Sequence, residues 1–317
     1  PAPAAGGGRP RGLFFDPSDL PRIRANLEQP RFAEIRRQVY DLDHTAARRF
    51  LRDELRLNDH VTDFARARSL LEHAALAHAL RGDAESLETA RLALGRIVEY
   101  PRWDYFLEGG RQVIGLQRAP EGTIAVCCAL DWIGDKLPAD LVAQAERDLG
   151  TKGAPACYTT LYGMKYPDRV RGWSFHPEQS IPMTIDFRRW PIILNATNLK
   201  IIPTAALGIV AVWLMDRHPE ARKWLEMSRQ SAQAFSIMYG SDGSYDEGVG
   251  YWGYTTMHLA MLAEVLHRRL GIDDRKLIDY SGSVRFALHM ASPTAGDLVV
   301  DPNEKAAYNA VPKGSLE

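Results

Sequence analysis

Apolar residues recur at three- and four-residue steps along most of this chain, and that period restricts it to helical folds. Residues 62–80 (TDFARARSLLEHAALAHAL) keep the step throughout, and Leu87, Ala90, Leu94 and Val98 form one stripe over residues 85–100. In residues 31–55, Phe32, Ile35, Val39 and Leu42 start a stripe that Ala46 and Phe50 continue, with Leu51 and Leu55 to one side. Asp16 or Ser18 can cap a helix over 16–28. Further helices are expected over 123–133, 138–149, 195–215, 219–239, 251–270 and 275–291, with Pro203 kinking or restarting the 195–215 helix. Connections such as Arg81-Gly82-Asp83 are short, as antiparallel helical hairpins require. No convincing alternating strand precedes Pro293, and DLVVDPN in the tail is the first candidate. Helical hairpins in series, without a repeat of fixed length, predict an all-α fold of the closed or nearly closed α/α toroid type.

Two stretches, 101–120 and 153–191, break the helical period and are rich in Trp, Tyr, Phe and Arg. That composition fits ordered loops facing a ligand better than linkers. The formal net charge of -1 gives no general drive toward nucleic acid, so an anionic partner needs a local basic patch. Of the three cysteines, Cys127 and Cys128 are adjacent and Cys157 is the only other; with no CxxC spacing, buried free thiols are expected and no metal site. No run of eighteen apolar residues occurs, so no membrane span is expected. Residues 1–12, PAPAAGGGRPRG, read as a flexible leader of the kind left after signal-peptide removal, which points to export to the periplasm or beyond.

Candidate chemistry gathers in four segments: Gly115-Leu-Gln-Arg-Ala-Pro before the AVCCALDW helix, Gly172-Trp-Ser-Phe-His-Pro-Glu, the run from Asp186 to Asn198, and the run from Ser241 to Tyr254. In the last, Asp242-Gly243 signals a tight turn, and Gly248 and Gly250 let the backbone pass close to a bulky group. Tyr251 and Tyr254 share a face at i,i+3; they suit either a helix start packed into the core or a site. Asn195 and Asn198 repeat that spacing, which suits either a helix cap or two amides aimed at a carboxylate. Arg118, Lys165, Arg169, Arg171, Arg188, Arg189 and Lys200 supply positive charge around these loops. Most such charges are solvated surface, yet aromatic rings interleaved with arginines suit an acidic sugar chain.

The runs YDEGVGYWGY and RWPIILNATNL, with the earlier ALDW helix, resemble the heparinase II/III-like polysaccharide lyases over residues 13–292. The resemblance implies an incomplete α/α toroid followed by β-sheet domains, so residues 293–317 are expected to be a linker and the first strand of a truncated β domain. It implies β-elimination on a uronic-acid glycan of the heparan sulfate or alginate kind, with no cofactor. Asn195 matches the position whose Asn or His neutralises the uronate carboxylate, and Tyr251 the tyrosine acting as general acid and base. Position 195 carries no histidine, so His176 is the candidate second base or carboxylate partner. Asn198, Tyr254, Gln117, Arg118, Arg188, Arg189, Trp190, Glu247 and Trp252 are the expected substrate contacts. A further catalytic His or Tyr in such lyases comes from the β domain, so this portion is expected to be poorly active alone.

Two other readings fit the same residues. A glycoside hydrolase would pair Asp186 with Asp242, Asp246 or Glu247 as acid and base. A non-catalytic glycan-binding helical protein would keep the aromatic and basic loops without the chemistry.

Overall fold

The computed structural model describes residues 12–110, 112–179 and 189–290. The expectations for residues 1–11, Asp186, Arg188 and the tail strand DLVVDPN lie outside them. Thirteen α-helices and three short strands are formed among the described residues: α1 (Leu20–Leu27), α2 (Ala33–Tyr40), α3 (His44–Arg49), α4 (Ala65–Arg81), α5 (Ala84–Glu99), β1 (Phe106–Glu108), β2 (Gln112–Ile114), α6 (Arg118–Ile133), α7 (Ala139–Asp148), α8 (Ala154–Lys165), β3 (Ser174–Phe175), α9 (Trp190–Leu194), α10 (Asn198–Trp213), α11 (Ala221–Phe235), α12 (Val249–Leu270) and α13 (Tyr280–Met290).

Local chemistry sets the hairpins. Gly82 closes α4 in the left-handed conformation, φ 73°, and the Asp83 carboxylate accepts the Ser86 N–H at 2.8 Å to start α5. Asp43 caps α3 in the same way through the Ala46 N–H at 2.9 Å, which splits the helix expected over 31–55.

Helices α6 and α10 set the packing. Every residue of α6 except Arg118 and Trp132 is buried, as is every residue of α10 except Leu199 and Val212. A helix that is apolar nearly all round must be enclosed by other elements. Accordingly α6 packs against α4, α8 and α10, and α10 against α6, α8, α11 and α12. Thr204 of α10 bonds Ser231 of α11 at 2.7 Å, and Ser228 Oγ donates to the Thr204 carbonyl at 2.7 Å. A main cluster including Phe64, Leu94, Trp103, Leu130 and Val210 forms the core, and a second gathers Ile201, Phe235, Tyr245 and Leu259. The three cysteines are buried free thiols.

The structure corrects the sequence reading in four places. Helix α8 lies inside the stretch read as irregular, and it continues α7 through a π-helical turn at Leu149–Gly153. Glycine disfavours a helix by propensity, but Gly153 is a close-packing position: a Cβ there would lie 3.1 Å from the Trp103 ring and collide with Thr123 Oγ1. Strands do occur before Pro293, in a three-stranded antiparallel sheet of order β2-β1-β3. They are two or three residues long, too short for alternation to register in sequence. Pro203 sits inside an unbroken α10, and the helix neither restarts nor ends there. Finally, Asn195 and Asn198 do not share one helix, because α9 ends at Leu194 and α10 begins at Asn198.

The approach of α10 to its neighbours depends on Gly208, where a Cβ would lie 2.5 Å from Ser228 Oγ and collide with Leu262 Cδ1. Gly208→Ala is expected to lower stability by roughly 1–3 kcal/mol through overpacking, despite the better helix propensity of alanine. Urea unfolding followed by circular dichroism checks this; an unchanged or raised midpoint would show that the contact relaxes freely.

Candidate functional site

The first N–H groups of a helix have no partner within it, and α6 and α10 each take a carboxylate acceptor from elsewhere in the chain. For α6 that acceptor is Asp104, which is fully buried. Its carboxylate takes the N–H groups of Tyr105 at 2.9 Å, Gln117 at 3.1 Å and Ala119 at 3.0 Å. Burial still pushes its pKa up to about 6, against the lowering effect of those three donors. For α10 the acceptor is Glu247, whose Oε2 takes the Asn198 N–H at 2.8 Å and the Tyr245 hydroxyl. Glu247 stands two residues before α12, so one carboxylate holds the starts of α10 and α12 together.

A second polar knot joins α4, α6 and α12. Glu121, 6% exposed, accepts Arg118 Nη1 at 2.9 Å and the Tyr254 hydroxyl at 2.7 Å, with Arg68 Nη2 at 3.5 Å. Arg68 also bonds Glu72 at 2.9 Å, and Arg118 Nη2 donates to the Val61 carbonyl at 3.1 Å. Burial, and then Glu121, raise the Tyr254 phenol above its ordinary pKa. His258 Nδ1 donates to the Tyr254 carbonyl at 2.7 Å, and burial pulls its imidazole below the ordinary value. Arg68 and Glu121 lie in the first turns of α4 and α6, and Tyr254 in the second turn of α12. With the Asn198–Glu247 bond, the starts of α4, α6, α10 and α12 are therefore linked at one end of the helical array.

Against this frame the expected site residues divide. Tyr251, on the first turn of α12, is 39% exposed and its hydroxyl makes no hydrogen bond among the described residues. Asn198 is 8% exposed, and its carboxamide, unlike its backbone N–H, has no partner among the described residues. Asn195 is exposed in the turn between α9 and α10, and Arg189 is exposed at the start of α9. Gln117 is half-buried at the N-cap of α6; its backbone N–H and carbonyl are bonded, and its carboxamide has no partner among the described residues. These side chains stay outside the polar frame. Arg118, Tyr254 and Glu247 are instead committed to the frame. Trp190 packs on Phe106 at 5.8 Å. Trp252 donates from Nε1 to Ser283 Oγ at 2.6 Å and packs in the second core cluster.

His176 follows β3, its backbone N–H donating to the Tyr105 carbonyl at 2.7 Å. Its Nδ1 accepts the Glu178 N–H at 3.2 Å, so Nε2 carries the proton of the neutral ring. Burial and Arg102 lower its pKa. Two residues here escaped the sequence reading. His60 is fully buried; its Nε2 donates to the Arg102 carbonyl at 2.9 Å and its Nδ1 lies 3.1 Å from Gln179 Nε2. Lys200, counted only as local charge, is 7% exposed on the first turn of α10 and meets no acceptor among the described residues. Burial pulls its pKa down. For Lys200 the available signal was a charge within an apolar helical run; His60, at the start of a short helical turn, carried none. Among the described residues, no group of three or more His, Cys, Asp or Glu is placed to hold a metal, and no helix is long and apolar enough to cross a membrane.

Compared with models of known protein families and with curated proteins, the chain matches none.

Burial is the first cause of the lowered pKa of both His60 and His258. The folded protein keeps these rings neutral, whereas the unfolded chain takes up protons below about pH 6.5. Their contribution is thus full above that pH and is lost as pH falls from there toward the folded values. Asp104, raised to about 6, acts in the opposite direction in both proteins, so the expected outcome is a difference: between pH 7.5 and 5 the urea midpoint of His258→Leu changes less in the downward direction than that of the parent protein. An equal slope in the variant would remove His258 from the account.

Proposed function

We propose that the chain is the helical catalytic portion of a polysaccharide lyase that cleaves a uronic-acid glycan by β-elimination. One observation carries the reading: the linked starts of α10 and α12 leave an exposed Tyr251 phenol and an unpartnered Asn198 carboxamide on adjacent helix ends. The packing of α4, α6, α10 and α12 in succession, with α5, α8 and α11 as further neighbours, supports an incomplete α/α toroid, with this end as its mouth.

β-Elimination at a uronate removes the C5 proton and breaks the bond from C4 to the bridging oxygen, leaving a C4–C5 double bond. The negative charge that develops on the carboxylate side must be met by donors already in position. The Asn198 amide, assisted by exposed Asn195, is suited to that task, and Arg189 to pairing an acidic group of the chain. Tyr251 is the proton carrier, giving a proton to the leaving oxygen and, as phenolate, taking the one from C5. His176 is the second candidate for the proton from C5. The preassembled frame supports this division, because Glu121, Glu247 and Tyr254 hold the helix ends without offering a free acid–base pair. The same reading makes this an exported protein acting on a polymer.

The test is near-ultraviolet absorbance of the unsaturated product with alginate, heparan sulfate, hyaluronan and chondroitin. A rise with one of them is expected, and Tyr251→Phe is expected to reduce it by roughly 10²–10⁴-fold. New reducing ends without absorbance would replace elimination by hydrolysis.

A further inference from the structure

A cavity of about 910 Å³ opens between α8, the start of α11 and the β1–β2 hairpin, and it shares no residue with the candidate site. Two rings of α8 line it, Tyr158 and Tyr162, stacked at 5.9 Å, and Tyr166 just past the helix end meets Tyr162 at 5.0 Å. The opposite wall is the His218 ring stacked on Trp224 at 4.3 Å. Its floor is the π-helical turn at Leu149–Gly153, held by Lys152, whose Nζ donates to the carbonyls of Val98 and Tyr100 and to Asp148. Lys152 is thereby spent on the fold. Turns of this kind are frequent at functional sites.

The free charge is at the rim. Arg169 donates to the Tyr162 hydroxyl at 3.0 Å and lies over the Tyr166 ring at 4.8 Å, but meets no carboxylate among the described residues. Lys223 lies over the Tyr158 ring at 4.7 Å and pairs with Glu220. Glu108 and Glu220 also line the cavity. The partly exposed Tyr158 and Tyr162 rings offer apolar contact to the C–H face of a sugar, and a guanidinium that meets no carboxylate favours one planar acidic group in bidentate contact. Two carboxylates in the same walls disfavour a densely sulfated chain.

We infer that this cavity is a second glycan site that grips one uronate residue of a polymer, with none of Tyr251, Asn195 and Asn198 in its lining. The inference rests on the glycan reading given above, but its readout is binding and not turnover. It extends the grip on a long chain, so it acts on polymers and not on short fragments.

Affinity electrophoresis in gels containing alginate tests it, with heparin gels as the polysulfated comparison and Tyr251→Phe as a catalytically silenced reference. Arg169 is exposed, so Arg169→Glu is expected to fold normally, as circular dichroism would check. Retardation by alginate should persist in Tyr251→Phe, fall roughly tenfold in Arg169→Glu and be partly kept in Arg169→Lys. Equal retardation of Arg169→Glu and the parent protein in alginate would overturn the inference, as would an Arg169-dependent shift in heparin alone. Should no glycan yield an unsaturated product while the Arg169-dependent retardation stands, the lyase reading fails and this site survives it.

Discussion

Two helices buried on every side cannot begin without acceptors for their first N–H groups, and that requirement organises the rest of the molecule. Asp104 answers it for α6 and Glu247 for α10. Neither carboxylate belongs to the helix it starts, so each fastens a distant loop to a helix end. Asp104 fixes the chain leading into the β1–β2 hairpin, and Glu247 fixes the turn that leads into α12. Loops tied in this way are held in place by the fold itself. An unmet N–H at either position costs more than a bonded one contributes, since a buried orphan donor loses its water as well as its partner.

The polar groups at this end fall into two sets. Glu121, Arg68, Arg118 and Tyr254 satisfy one another across α4, α6 and α12. Such a knot specifies how the three helices meet more than it adds net stability, because desolvation of the ions offsets much of their attraction. The Tyr251 phenol, the Asn198 amide, Asn195 and Arg189 are left out of that knot. On one helix the two tyrosines three residues apart thus do opposite things: Tyr254 turns into the frame, and Tyr251 stays at the surface.

Much of the helical layout is legible in the sequence, because amphipathic period and capping chemistry are local. The Arg81-Gly82-Asp83 connection is an example: a left-handed glycine and an Asx cap suffice to end α4 and start α5. What escaped the reading was non-local. Helix α8 carries no clear apolar stripe, since it is packed against α6, α10, α11 and the small sheet. Gly153, at the edge of the stretch read as irregular, is glycine because the Trp103 ring and Thr123 leave no room for a side chain. The strands are held by pairing partners up to 69 positions apart, Phe106 with Phe175, which no window along the chain can see.

The candidate site shows the same boundary. Sequence alone determined which residue types stand near helix starts: Tyr251 and Tyr254 at one spacing, Asn195 and Asn198 at another, glycines before them and arginines around them. It also determined that the chain would be helical, because the period of burial is written in consecutive residues. Only the tertiary structure decided that Tyr254 is spent on the fold while the Tyr251 phenol and the two asparagine amides are not. The reason is physical: a hydrogen-bonding group is available or consumed according to its neighbours in space, and Glu121 and Glu247 reach those neighbours only when distant helices meet.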